Sequence, residues 1–250
     1  MDATVQRHQT LRVRHELRRR MLTVTTIERL TPHMLRIGFA SPELHDFVSP
    51  SHDDHIKLFF PTDGAPAMRD FTPRRFDTGQ HTLLIDFALH EAGPATQWAA
   101  TAKVGDTLQI GGPRGSSVVP DDFDWYLLIG DETALPAIGR RVEELRPNVS
   151  VTTFVVGGAG ETQHFETRSS WTPHWVSRGA ASDDAELLRA ALAEHPLPKG
   201  EGFVWIAAEA SVARSLRHYI MDERGHPREW TKAAGYWKRG LADAHENIED

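Results

Sequence analysis

Along the first half of the chain, apolar positions recur at the strand period. Residues 22–30 (LTVTTIERL) and 33–40 (HMLRIGFA) are rich in β-branched and apolar side chains, and Thr31 and Pro32 between them signal a turn, so both are predicted strands. Residues 55–60 (HIKLFF) predict a third, stopped by Pro61. In residues 83–90 (LLIDFALH), Leu83, Ile85, Phe87 and Leu89 share one face at period two, with Asp86 and Ala88 on the other. A turn at Val104, Gly105 and Asp106 leads into TLQIGG. Short strands punctuated by Gly and Pro, with little helix between them, predict a small antiparallel barrel.

The pattern changes near Pro120. After the acidic break PDDFD, residues 125–130 (WYLLIG) form a continuous apolar run, as in a strand covered on both faces. Residues 131–145 then take the helical period: Leu135, Ile138, Val142 and Leu145 make one stripe. Thr133 is placed to cap that helix, with Pro136 in its first turn. VTTFVVGG predicts a second buried strand, and DDAELLRAALAEH a helix with Asp183 and Glu186 at capping-box spacing. FVWIAAE predicts a further strand, and SVARSLRHYIMDERG a helix stopped by Gly225 and Pro227. This alternation predicts a parallel α/β sheet, with a boundary near residue 121.

Composition narrows the function classes. A chain of 250 residues accommodates two ordinary domains, and 40% hydrophobic with 25% charged residues excludes a disordered chain. A net charge of -7 argues against general nucleic-acid or anionic-membrane binding. No apolar run approaches the roughly 20 residues of a membrane span. The basic N-terminus has no apolar run behind it, so no secretory signal is expected and a cytoplasmic location is. The chain has no cysteine, which removes disulfides, thiolate nucleophiles and cysteine-ligated iron–sulfur clusters. His52 and His55, beside Asp53 and Asp54, have a spacing that can ligate a metal. A polar loop entering a strand explains them more simply, and no metal is expected.

Several stretches carry candidate chemistry. In MRDFTPRRF, Arg69 and Arg74 flank Phe71 and Thr72: guanidinium forks suit phosphate, a ring covers a planar group, and a hydroxyl bonds a ring nitrogen. A basic surface turn with a core phenylalanine has the same pattern. Gly93 and Pro94 break a strand before Thr96, Gln97 and Trp98, where a helix start would offer N–H groups to a diphosphate. Gly130, Asp131, Glu132 and Thr133, and again Glu209, Ala210 and Ser211, fall where strands meet helices, the ligand-binding edge of a parallel sheet. Two ordinary α/β connections would look alike. In AGYWKRG, Tyr236 and Trp237 adjoin Lys238 and Arg239, which suits an anionic aromatic ligand or a docked tail. No nucleophile elbow surrounds Ser169 or Ser170, and no HExxH or P-loop motif is present.

Taken in order, HIKLFFP, MRDFTPR, IDFALHEAGPATQWAATAKVGDTL, GPRG, GDETALPAI, VWIAAEASVARSLRHYI and AGYWKRG resemble the siderophore-interacting proteins, flavin-dependent ferric-siderophore reductases of the ferredoxin–NADP reductase superfamily. The resemblance spans about residues 22–243. It implies a two-domain ferredoxin-reductase-like fold. An N-terminal antiparallel Greek-key β-barrel at residues 18–121 would hold FAD. A parallel-sheet α/β domain at residues 122–250 would be NAD(P)-binding-like and end in a substrate-contacting tail. By resemblance Arg69, Phe71, Thr72 and Arg74 fall on the flavin signature, and Asp86, Phe87, His90, Ala95, Thr96 and Trp98 on the segment that wraps FAD. Asp131, Glu132, Thr133, Ala208, Glu209 and Ser211 match the nucleotide cleft, and Lys57, Lys238 and Arg239 the basic group for an anionic chelate.

The implied reaction takes electrons from NADPH or NADH, with NADPH favoured by resemblance alone. FAD carries them to a ferric siderophore or other anionic ferric chelate, with no proton-transferring side chain. A monomer without nucleic-acid partners is expected. Three departures stand out: Phe71 replaces the usual tyrosine, Ala207-Ala208-Glu209 replaces a glycine-rich AGE, and Glu91 replaces a glycine. Two other readings stay open: a siderophore-binding or iron-handling module that uses flavin poorly, and a related flavin oxidoreductase with another acceptor.

Overall fold

In the computed structural model, which describes residues 7–89, 93–179, 183–241 and 246–248, the period-two segments form one antiparallel sheet. The strands of this first half are β1 (Leu11–Arg14), β2 (Arg19–Thr31), β3 (Met34–Ala40), β4 (Ile56–Phe60), β5 (Ala67–Phe71), β6 (Arg75–Asp77), β7 (Thr82–Ala88), β8 (Thr107–Gly111) and β9 (Gly115–Val118), with α1 (Pro94–Thr101) between β7 and β8. Seven of them run in the order β5-β4-β8-β2-β3-β7-β6, while β1 and β9 pair as a separate ribbon. Among the described residues the ladder stays open between β5 and β6. The expected small barrel is therefore a curled, half-barrel sheet. Its inner face buries the predicted apolar positions Leu83, Ile85 and Phe87 with Leu22, Ile37, Phe39, Leu58 and Ile110. Asp86, assigned by alternation to the other face, is also buried, because Arg36 opposite it on β3 forms a bidentate pair at 2.7 and 2.8 Å.

The second half contains β10 (Trp125–Gly130), α2 (Leu135–Glu144), β11 (Ser150–Gly157), β12 (Ser170–Ser177), α3 (Asp184–Ala193), β13 (Gly202–Glu209), α4 (Ala210–His218), β14 (Thr231–Trp237) and the short β15 (Glu246–Asn247). The sheet order is β12-β11-β10-β13-β14-β15, parallel except at β15. Every residue of β10 and β13 is buried, as their unbroken apolar runs require. Alternate side chains feed opposite layers: Tyr126 and Leu128 pack with Ile138 and Val142 of α2, and Leu127 and Ile129 with Leu188 of α3 and Leu216 of α4.

Three local expectations are corrected. Asp131, not Thr133, supplies the cap before α2, accepting the Thr133 N–H at 2.9 Å, so a short 3-10 turn precedes the helix. The helix predicted to run to Gly225 stops being α-helical at His218 and widens into a π turn over Tyr219–Glu223. β12 was hidden by Pro173; it is an edge strand, where a missing N–H is tolerated. Asp183 caps α3 as its position predicts, at 2.7 Å from the Ala185 N–H. No helix among the described residues is long and apolar enough to cross a membrane.

The domains meet along a polar seam. Arg140 of α2 is buried and donates to the Ser49 hydroxyl (2.9 Å), the Ser49 carbonyl (2.8 Å) and the Pro73 carbonyl (3.1 Å) of the first domain. Asp53 accepts from Trp205 Nε1 at 3.1 Å and pairs with Lys232 at 2.6 Å. Burial pushes the Asp53 carboxyl up, but the Lys232 charge and its hydrogen bonds outweigh this and hold it well below the usual range. His52, 2% exposed, has Nδ1 at 3.2 Å from the Ala137 carbonyl; a carbonyl only accepts, so Nδ1 carries the proton. Farther along, Glu161 accepts from the Thr31 hydroxyl and, at 3.1 Å, from the His33 N–H. The N-terminal segment adds a strap. The His8 ring stacks on Phe123 at 3.9 Å and sits between Asp122 (2.8 Å) and Glu201 (2.9 Å).

His52 makes the seam acid-sensitive. Burial lowers its pKa to about 3, against about 6.5 unfolded. The folded state therefore binds fewer protons. The associated stability is present above about pH 6.5 and is lost as pH falls toward 3, at up to roughly 1.4 kcal/mol per unit. Urea denaturation between pH 7.5 and 4.5 should show this slope in the wild type and a flatter one in His52→Gln.

Candidate functional site

The first domain presents an aromatic face beside a potential anion cradle. Phe71 ends β5 half-buried, with Phe87 at 4.6 Å and the edge of Phe60 at 6.0 Å. Phe87 is 1% exposed and backs Phe71 from the core; Trp98 of α1 completes the cluster, 5.9 Å from Phe87 and 5.8 Å from Phe60. Ala95 and Thr96 lie in the first turn of α1 and Trp98 in the next, and all three are partly exposed. The helix begins after Gly93 with no side-chain cap, and a Cβ added at Gly93 would meet nothing within 4 Å. A helix start without a side-chain cap leaves first-turn N–H groups available to an acceptor, the arrangement that suits a diphosphate. Arg69 lies on β5 and donates to the Met68 carbonyl at 2.7 Å. His90 lies outside the described residues.

Two residues aligned with the flavin signature and wrap face elsewhere. Arg74, 3% exposed, makes a fork to Glu143 of α2 at 2.9 and 2.5 Å, with Nε 3.8 Å from Asp86. Burial raises the Glu143 carboxyl, but Arg74 outweighs it and the net direction is down. Asp86 is held by Arg36. Both side chains brace the domain and its junction. Likewise Lys57 pairs with Asp70 across β4 and β5 at 2.9 Å, whereas Lys238 and Arg239 are exposed.

In the second domain the carboxyl ends of β10, β13 and β14 make the edge at which a parallel sheet offers a ligand crevice. Asp131, 1% exposed, accepts from the Thr133 hydroxyl (2.5 Å), the Glu209 N–H (3.1 Å) and Trp237 Nε1 (2.8 Å). Burial raises its pKa despite these bonds. β13 lies between β10 and β14, so the Trp237 indole reaches Asp131 across the end of β13 and spans the crevice. Glu209 caps α4 through the Ser211 N–H (2.6 Å) and also accepts the Arg239 N–H (3.3 Å). These bonds outweigh burial and lower its pKa. Ala208 is 1% exposed and packs within β13. Gly130 is needed for closeness: an added Cβ would stand 2.6 Å from the Ala207 carbonyl oxygen and 2.5 Å from the Ala134 Cβ.

Tyr236 joins the two halves. Its phenol, pushed up by burial, lies beside Thr72, the residue after Phe71. The aromatic face of one domain and the crevice of the other therefore adjoin at Thr72 and Tyr236. Glu132 turns from the crevice to pair with Arg178, which also holds Asp184 at 2.7 Å. Sequence reading missed Arg178, Lys232, Trp205 and Arg140. Arg178 follows the strand that Pro173 hid, and the others carry no local signal because their partners are distant in the chain. His52 and Asp53 belong to the domain seam, and among the described residues no cluster of three or more potential metal ligands occurs.

Removing one member of a buried pair strands the other. Arg74→Ala should therefore lower unfolding free energy by about 2–4 kcal/mol in urea, since Glu143 keeps only its contact with exposed Arg75.

Residues 123–240 match the family model described as siderophore-interacting protein, and residues 23–67 and 61–117 that described as siderophore-interacting FAD-binding domain. The NADPH-dependent ferric-chelate reductase of Escherichia coli (strain K12) is 34% identical, over 90% of this chain and 95% of its own. The solved structure of a siderophore utilization protein from T. fusca superposes with a TM-score of 0.88 at 35% identity, covering 94% of this chain and 98% of that one. The siderophore-interacting protein SipS from Aeromonas hydrophila gives 0.76 at 29% identity, covering 90% and 93%.

Proposed function

Because the chain belongs to the siderophore-interacting protein family, we propose that it passes electrons from NADPH or NADH, through FAD, to the iron of a ferric siderophore or other anionic ferric chelate. The observation that carries this reading is the approach of Tyr236 to Thr72, which sets the Phe71 face against the crevice spanned by Trp237. Electrons have only a short way to travel between ligands held on either side of it. Bound FAD would supply the conversion of a two-electron donor into one-electron transfers.

The chain's own residues bind and orient. Phe71, backed by Phe87 and Phe60, offers an aromatic plane for the flavin ring, with Thr72 at its edge. Phenylalanine keeps the stacking surface of the usual tyrosine without its hydroxyl. Arg69 and the uncapped first turn of α1 take the diphosphate, where Ala95, Thr96 and Trp98 line the approach. Arg74 and Asp86 act at one remove, by fixing the strand and the domain junction. The ends of β10 and β13, at Asp131–Thr133 and Ala208–Ser211, hold the nicotinamide nucleotide. Lys238 and Arg239, exposed on the tail, guide an anionic chelate with Lys57 although the chain carries net charge -7. The iron stays ligated by its chelator. Reduction to Fe(II) weakens that chelate's hold on the metal. The relative's name supports NADPH as donor.

Anaerobic stopped-flow on the FAD-loaded protein tests this. The flavin absorbance should bleach with NADPH or NADH and return on adding a ferric chelate; bleaching with no return would refute the proposal. In Lys238→Ala/Arg239→Ala, reoxidation by an anionic chelate should slow about tenfold, and that by a neutral chelate much less. Equal slowing of both would remove the guiding role.

A further inference from the structure

Resting on the nucleotide reading above, we propose that Glu132, Arg178 and Asp184 select a donor with a free ribose 2′-hydroxyl, making NADH the better substrate and disfavouring NADPH. These residues come together at the carboxyl edge of the parallel sheet. Glu132 stands two residues beyond β10, Arg178 one beyond β12, and Asp184 opens α3. The Arg178 N–H is tied to the Gly157 carbonyl at the end of β11, at 2.8 Å. The cluster thus covers the β10–β12 half of the edge, whereas Tyr236 and Trp237, beside the aromatic face, end β14 on the opposite side of the sheet. A dinucleotide with its nicotinamide end toward Phe71 extends its adenosine ribose along that edge toward the cluster.

An arginine at such a place is the usual receptor for a 2′-phosphate, and a carboxylate for a 2′-hydroxyl. Here the arginine is committed. Its Nε and one Nη2 hydrogen bond Asp184 at 2.9 and 2.7 Å, and the other Nη2 hydrogen bonds Glu132 at 2.8 Å. One Nη1 hydrogen also goes to Glu132. That leaves one of five guanidinium donors. The side chains are largely shielded, with exposures of 29% for Arg178, 11% for Glu132 and 15% for Asp184. One positive and two negative charges leave the cluster at net -1. A phosphate approaching it meets like charge, and beyond the one spare donor can claim Arg178 only by stranding a shielded carboxylate. A ribose hydroxyl meets carboxylate oxygens with spare acceptor capacity. The preference is opposite to the one that the E. coli relative's name suggests.

Two measurements on the FAD-loaded wild type decide the matter. Calorimetry should find 5′-AMP binding on the order of tenfold more tightly than 2′,5′-ADP, and anaerobic reduction should show NADH exceeding NADPH in kcat/KM by a similar factor. Asp184→Asn, and separately Glu132→Gln, should each tighten 2′,5′-ADP and move the ratio toward NADPH by freeing Arg178. Arg178→Ala should not improve NADPH. Tighter binding of 2′,5′-ADP by the wild type, with NADPH preferred and that preference lost in Arg178→Ala, would overturn this inference alone. If a flavin reduced by dithionite is reoxidised by ferric chelate yet accepts electrons from neither nucleotide, the nucleotide reading and this inference fall together. Should a variant fail to fold, the wild-type comparison still decides.

Discussion

The charges buried between the two domains are the constraint on which the rest of this molecule depends. The chain has no cysteine to staple its halves together. Instead Arg140 enters the first domain to reach Ser49 and Pro73, Arg74 leaves it to reach Glu143, and Asp53 meets Lys232. Apolar surfaces slide past one another at small cost, but a buried charge separated from its partner is strongly unfavourable. Such pairs need not add net stability. They make one docking register far better than its neighbours.

That register is what assembles the candidate site. Phe71 and Thr72 belong to one sheet and Tyr236 and Trp237 to the other, so neither domain contains a working surface alone. The approach of Tyr236 to Thr72 lies close in sequence to two of the buried pairs: Arg74 is two residues beyond Thr72, and Lys232 four before Tyr236. The same carboxylates serve structure and site. Asp131 both caps the turn before α2 and holds the Trp237 indole, and Glu209 both caps α4 and anchors the backbone of Arg239. The tail is thereby fixed to the crevice by groups whose first role is to end strands and begin helices.

Much of this was legible along the chain. The period-two face of β7, the unbroken apolar runs of β10 and β13 and the apolar second half of β11 announced an antiparallel sheet followed by a parallel one, since each pattern reflects which faces of a strand are covered. Phe71, Phe87 and Trp98, singled out along the chain, lie together in one aromatic cluster. The pairing of Arg74 was not legible because a guanidinium suited to phosphate is equally suited to carboxylate, and Glu143 stands 69 residues away. β12 was missed because proline reads as a breaker unless the strand is known to lie at an edge.

The sequence by itself determined the local order of strands and helices, the junctions where strands give way to helices, and the kind of chemistry on offer. Those properties depend on periodicity, backbone preference and side-chain type, all of which act over a few residues. Only the tertiary structure decided which charges are spent inside the protein and which face a ligand. Arg74, Asp86 and Arg178 are satisfied by partners brought in from other strands and helices, whereas Lys238 and Arg239 are exposed at the tail. Whether a charge is solvated, paired or open to a substrate is a property of its surroundings in space, and those exist only once the chain has folded.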